Sequence, residues 1–271
     1  MERIVGNIRL VEYAILRKHF EVYAFSTYRQ GGVSTGAYAS LNCTPYVDDD
    51  PQCVRQNQEI LLNTLPHRPR ELVIPWQTHG TDILTVDEDW LVATPERRHH
   101  LLQGIDAMIT DKPGVCLCVS TADCIPILLY DHVHRVIAAV HAGWRGTVNL
   151  LVLRTLRRMH EYYGTEAFDV LACIGPGISW EAFEVGDEVF DAFHKAGYPM
   201  HAIATYDPCA KKHHIDLPEA NAIQMKYFGM HEDFIEDCRI CTYRRHEDFF
   251  SARRLGAKSG RILSGIMLKN I

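Results

Sequence analysis

Four stretches between residues 71 and 177 concentrate apolar residues into short runs bounded by glycine, proline or aspartate: "ELVIPWQTHG", "GVCLCVSTADCIPILLYD", "RVIAAVHAG" and "DVLACIGPG". Runs of this length, stopped by turn formers, predict buried strands. Each delivers the chain into a polar or glycine-rich turn. A helical period takes over in "NLLVLRTLRRMHEYYG" and "DEVFDAFHKAG", where Gly164 and Gly197 close the predicted helices. In "DLPEANAIQMKYFG", Asp216 with Glu219 three residues on reads as a capping box, and Gly229 as the stop. Asp50 and Pro51 open a further predicted helix through "CVRQNQEILLNTL". The most polar interruption, "ATPERRHHLLQG" near residues 93 to 104, is expected to be a surface loop. Strands and helices interleave without strict alternation, which predicts a mixed-sheet α/β or α+β domain rather than a doubly wound one.

Composition narrows the classes. With 271 residues and 47% hydrophobic content the chain can bury a sizeable core. A formal charge of -6 without a long basic run removes the footprint of a general nucleic-acid binder. Charges break every apolar run of "MERIVGNIRLVEYAILRKHF", so neither a signal peptide nor a membrane span is expected there, and a cytoplasmic protein is. Nine irregularly spaced cysteines suit reduced thiols better than a disulfide framework. No glycine fingerprint follows the first strand, and no Walker loop occurs.

Three strand ends carry a soft or borderline metal ligand: His79 in "QTHG", Cys124 in "TADCIP" and His141 in "VHAGW". Imidazole and thiolate both suit zinc, and catalytic zinc sites commonly use three protein ligands with a fourth position open. The positions are far apart in sequence, so only the fold can bring them together. Taken singly, each also reads as a hydrogen-bonded histidine or a packed cysteine. Cys124 and His141 equally fit a thiol nucleophile and its base. Asp123 has three readings: orienting a ligand from behind, accepting a proton, or capping the turn before Pro126. The other candidates are poorer. His132 and His134 fall at a predicted hairpin tip, and His99, His100, His213 and His214 in charged loops facing water. Cys116 and Cys118 share one strand face, Cys238 and Cys241 form a lone CxxC pair, and the nucleobase-deaminase signature is absent.

Taken in order, "TYRQGGVSTGAYASLN", "WQTHGTDI", "GIDAMIT", "VSTADCIPILLYD", "VIAAVHAGWRGT", "CIGPGIS", "FEVGDEV", "DLPEANAIQM" and "CTYRRHEDFFSARR" resemble the successive motifs of the laccase-domain family. Its members are also called YfiH-type purine nucleoside phosphorylases or polyphenol oxidoreductases. The resemblance covers the chain from about residue 25 onward. It implies a single-domain α+β fold over 1–271, a mixed-sheet α/β sandwich of the YfiH-like type. His79, Cys124 and His141 fall on the family's metal positions, for zinc, with copper as the alternative. The implied activities are phosphorolysis of adenosine, inosine and methylthioadenosine and hydrolytic deamination of adenosine, with purine nucleosides and phosphate as partners in a monomer or homodimer. Phenol oxidation and a Cys-His editing role in cell-wall precursor synthesis are the other activities attached to relatives. Arg29, Asn42, Arg145 and Arg253 also match motif positions and are candidates to hold phosphate or ribose, each against the reading of a salt bridge or carbonyl clamp. The sequence departs from the pattern in "NCTPYVDDDP", at Gln58 and at Ala252, which leaves the metal set intact and puts the substrate preference in question.

Overall fold

The computed structural model describes residues 1–270, so the expected unit over 1–271 is described except for Ile271, which lies outside the described residues. Its strands are β1 (Glu2–Val5), β2 (Ile8–Glu12), β3 (Val22–Thr27), β4 (Glu71–Val73), β5 (Asp82–Thr85), β6 (Ile105–Thr110), β7 (Val115–Thr121), β8 (Ile125–Asp131), β9 (Val136–Ala142), β10 (Val170–Ile174), β11 (Glu184–Val185), β12 (Ala204–Asp207), β13 (Lys212–Ile215), β14 (Ile235–Asp237) and β15 (Ile262–Leu268). The helices are α1 (Pro51–Thr64), α2 (Glu88–Val92), α3 (Pro95–Leu101), α4 (Trp144–Val148), α5 (Leu151–Tyr163), α6 (Asp187–Lys195), α7 (Met200–Ile203), α8 (Leu217–Phe228) and α9 (Ala252–Leu255). One six-stranded sheet has the order β1-β2-β3-β15-β7-β4, a second β14-β10-β8-β9-β6-β5, and a small third β11-β13-β12. Both large sheets are mixed: β4 runs parallel to β7, β5 to β6 and β14 to β10, and the other ladders are antiparallel.

The continuous apolar runs follow from burial on two faces. All seven residues of β8 are buried. Successive side chains of a strand point to opposite faces. Ile127 and Leu129 therefore join the core under α5 and α8, while Leu128 and Tyr130 meet Leu117, Val119 and Ile266 of the first sheet. On the outer side of that sheet, Leu61 of α1 packs with Phe25, Cys118 and Met267. The result is a helix-sheet-sheet-helix sandwich. Each fully buried side chain of the Leu129 or Leu156 kind stabilises it by about 1.5–3 kcal/mol.

The helix signals act as expected except that the capping box at Asp216 is only half formed, since the Asp216 N–H donates to Ile203 O and not to Glu219. Asp50 accepts from the N–H of Gln52, and Asp216 from that of Glu219. Gly164 and Gly229 end α5 and α8 in the left-handed region that a side chain adopts with difficulty. One expectation is corrected: residues 95–101 form α3, because Pro95 sits at its first turn and the Thr94 hydroxyl accepts from the N–H of Arg97. His99 and His100 are thus exposed on a helix, not in a loop. His213 and His214 are likewise half-buried in β13, where His213 stacks on Phe190 with ring centroids 4.0 Å apart. Their neighbouring charges mimic a loop, but pairing with β11 and β12 supplies the partners for their main chain. All nine cysteines are unpaired. Among the described residues, no helix is long and apolar enough to cross a membrane.

Candidate metal centre

The second sheet presents two of the three ligands at strand ends; His79, expected at the end of a strand, lies instead in the loop between β4 and β5, because β4 stops at Val73. His141 lies near the end of β9, opposite Pro126 on β8, and Cys124 is the residue just before β8. His79 comes from the loop after Trp76, which is pinned by Trp76 N–H to Leu102 O and Gly104 N–H to Trp76 O, both 2.9 Å. One donor atom from each of His79, Cys124 and His141 lies within 4.8 Å of the other two. His141 is buried, Cys124 half-buried and His79 exposed, so the set opens toward solvent on the His79 side.

Asp106, fully buried at the start of β6, holds two of the three ligands. Its Oδ1 accepts from His141 Nδ1 at 2.7 Å and from the N–H of His79 at 3.0 Å, and its Oδ2 from the N–H groups of Gly80 at 2.7 Å and Thr78 at 3.2 Å. These bonds hold His79 in left-handed backbone, φ 62. Burial favours the neutral acid at Asp106, but the bonds from His141, Gly80 and Thr78 outweigh it and keep the group below its ordinary value. With Nδ1 committed to Asp106, His141 has Nε2 left for a metal, the usual carboxylate-histidine arrangement behind a metal ligand. Sequence reading passed over Asp106 although "GIDAMIT" contains it. A lone carboxylate in an otherwise apolar strand, which burial forces to find donors, was the available signal.

The donor set fits a zinc-type ion. A Cβ at Gly143 would come within 2.9 Å of His79 Cδ2 and 3.1 Å of Cys124 Sγ, so the missing side chain keeps the space between two ligands clear. Burial raises the Cys124 thiol, but the charge of His141 and hydrogen bonds from His141 and His79 bring it down to about 6. Burial likewise opposes charge on His141, and the Cys124 charge with the Asp106 bond lifts it to about 9. Each favours the ionised form of the other. A thiolate, the form that binds metal, is therefore present at neutral pH.

The donors line a cavity of about 310 Å³ whose wall includes Thr44, Tyr46, Trp76, Ser120, Ala252 and Arg261. Tyr46 donates to Ile74 O at 3.1 Å, and its ring lies 5.5 Å from that of Trp76, which is 48% exposed. A larger cavity of about 410 Å³ near Glu181, Asp216 and Arg244 contains none of the three donors. The segments that depart from the family pattern supply part of the donor cavity's wall, Thr44, Tyr46 and Val47 from one and Ala252 from the other.

The remaining sequence candidates stand outside the cavity lining. Asp123 accepts from Thr242 Oγ1 at 2.7 Å and from the N–H of Arg253 at 2.6 Å, which ties the turn carrying Cys124 to α9. Arg29 clamps the carbonyls of Ala39 and His246. Asn42 is buried, donates to Asp49 and accepts from the N–H of Arg261. Arg145 is exposed with its guanidinium over Trp144, and Arg253 donates to Glu184 O. Arg261 and the aromatic pair are the wall residues that sequence reading missed; they come from three separate segments and form no local pattern.

Comparison with known proteins adds three findings. Residues 23–269 match the family described as multi-copper polyphenol oxidoreductase laccase. A purine nucleoside phosphorylase of Bacteroides thetaiotaomicron is 52% identical over 268 residues, covering 99% of both chains, and adenosine deaminase RL5 from an unknown prokaryotic organism is 37% identical over 248 residues, covering 92% of this chain and 94% of its own. The crystal structure of the Bacillus licheniformis hypothetical protein YfiH superposes with a TM-score of 0.88 at 28% identity, covering 99% of each chain.

Proposed function

The chain belongs to the multi-copper polyphenol oxidoreductase laccase family, and from that premise we propose that it is a zinc-dependent enzyme of purine nucleosides. Its reactions are phosphorolysis of adenosine, inosine and methylthioadenosine to free base and ribose 1-phosphate, and hydrolytic deamination of adenosine. The observation that carries this reading is the convergence of His79, Cys124 and His141 on one cavity. The names of the phosphorylase and deaminase relatives support a nucleoside as its occupant. His79, Cys124 and His141 would hold the metal, and the chemistry it would supply there when bound is Lewis acidity.

The chain's own residues do the rest. Asp106 fixes the orientation of His141 and the loop of His79 together. Asp123 secures the turn that presents Cys124. Tyr46 and Trp76 offer aromatic faces to a purine, and the cavity volume lies at the small end of the range of about 300–1,000 Å³ typical of ligand pockets.

The test is incubation of purified protein with adenosine, with and without phosphate, while adenine, inosine and hypoxanthine are followed and bound metal is assayed. Adenine that requires phosphate, inosine that does not, and zinc near one per chain are expected. Stoichiometric zinc with none of the three products overturns the reading, and copper with phenol oxidation replaces it.

A further inference from the structure

Arg261 is set apart by what it lacks. Arg9, Arg98 and Arg245 each pair with a carboxylate: Asp248, Glu71 and Asp248 respectively. The half-buried guanidinium of Arg261 instead donates to three main-chain carbonyls, Ser259, Gly260 at 3.1 Å and Ala257 at 3.0 Å. Its own N–H is held by Asn42 Oδ1 at 3.1 Å. The cation is thus fixed from both ends, and among the described residues no carboxylate pairs with it. Of the acidic groups whose charge reaches it, Cys124 belongs to the metal donor set and the Asp123 carboxylate is already engaged by Thr242 and Arg253. Burial works against the Arg261 charge, and Cys124 works in its favour.

A second wall residue has unused hydrogen-bonding capacity. Gln77 clamps the main chain of Ser120 from both sides, accepting from its N–H at 2.7 Å and donating to its carbonyl at 2.9 Å. The Ser120 hydroxyl is buried and unpartnered among the described residues. Ser120 on β7 pairs with Leu263 of β15, two residues past Arg261. Arg261 and Ser120 line the same cavity as His79, Cys124 and His141. A rigid cation with no carboxylate paired to it and an unpartnered hydroxyl on the wall of the metal donor cavity are the complement of a tetrahedral oxyanion.

We propose that Arg261 and Ser120 form a phosphate subsite in this cavity and bind inorganic phosphate as the attacking co-substrate. This deepens the phosphorolysis reading and rests on it for the reaction. In that reaction an oxygen of hydrogenphosphate forms the bond to C1′ as the C1′–N bond breaks. The electron pair leaves with the purine, and the hydrogenphosphate proton ends on the purine nitrogen. Arg261 binds and orients the anion, and Asn42 is a positioning residue that acts through the Arg261 main chain.

The experiment titrates inorganic phosphate into zinc-loaded full-length protein by calorimetry, with adenosine 5′-monophosphate as a parallel arm. Arg261→Gln, Arg261→Lys and Ser120→Ala are compared with the parent, with zinc content and thermal melts recorded for each. Saturable phosphate binding by the parent is expected, weakened about tenfold or more in Arg261→Gln, with Arg261→Lys between the two and Ser120→Ala closer to the parent. In turnover, Arg261→Gln raises the KM for phosphate about tenfold and the KM for nucleoside much less. If Arg261→Gln does not fold, Arg261→Lys and Ser120→Ala decide by the same measurements. Equal phosphate binding by parent and folded variants overturns the subsite, as does Arg261-dependent binding of the monophosphate without binding of inorganic phosphate. Arg261-dependent phosphate binding in a parent that cleaves no nucleoside leaves the subsite standing and refutes the nucleoside reading.

Discussion

Among the described residues, two clusters bring three metal-capable side chains within 4.8 Å: His79, Cys124 and His141 at the cavity, and Asp131, His134 and Asp169 beside the β8–β9 hairpin. They differ in what their donor atoms already do. Asp131 accepts from the N–H groups of Val133 and His134 through one oxygen and from His134 Nδ1 through the other, and Asp169 Oδ2 accepts from the N–H of Glu166. That cluster caps a turn. At the cavity the main-chain N–H groups are taken by Asp106, which is not a donor of the set, so the Cys124 sulfur and, apart from its bond to Asp106, the His141 ring are engaged only within the set, with each other and with His79. Donor availability separates a metal site from a well-bonded turn, and proximity alone does not.

Cys124→Ser is the strongest test of this contrast. Loss of stoichiometric metal and of turnover is expected, read by elemental analysis after dialysis and by product formation, whereas retention of both would remove the distinction drawn here. Asp106→Asn comes next. It keeps the shape but loses the charge that orients His141, and metal affinity should fall about 10–100-fold in chelator competition. Gly143→Ala pushes a methyl group against His79 and Cys124; about tenfold weaker metal binding is expected, with a thermal shift equivalent to about 1–3 kcal/mol. In metal-free protein, alkylation of Cys124 should have its midpoint near pH 6, because the thiol's value is lowered and the thiolate persists down to that pH. His141→Gln should move the midpoint up toward the ordinary thiol value of about 8.5. The smallest effect belongs to the second cluster: His134→Gln should leave metal content unchanged and stability within about 0.5 kcal/mol.

Much of this was legible in the sequence wherever the determinants are local. Strands β7 to β10 announce themselves as apolar runs because both faces are covered, and α1, α5 and α8 by caps whose bonds span a few residues. Helix α3 was missed because a short, solvated helix has no apolar stripe, although Thr94-Pro95 marked its start. The metal triad was visible as ligand types at strand ends, and the resemblance gave them a common purpose. Asp106 and Arg261 were not singled out because their roles come from partners distant in sequence: His141 and residues 78–80 for one, Asn42 for the other. Arg29, Arg145 and Arg253 match motif positions, yet a motif does not state which way a guanidinium turns.

The place of β15, between β3 and β7, also bears on how the chain acquires its shape. The hydroxyls of Ser26 and Ser264, 238 positions apart, share a hydrogen bond of 2.6 Å across this junction. The β8–β9 hairpin, by contrast, closes between near neighbours. Since loop closure slows the meeting of distant segments, the hairpin that carries Cys124 and His141 should assemble early and the wall bearing Arg261 late. The cavity that surrounds the Cys124 sulfur is therefore expected to close only when the last strand of the chain has been placed.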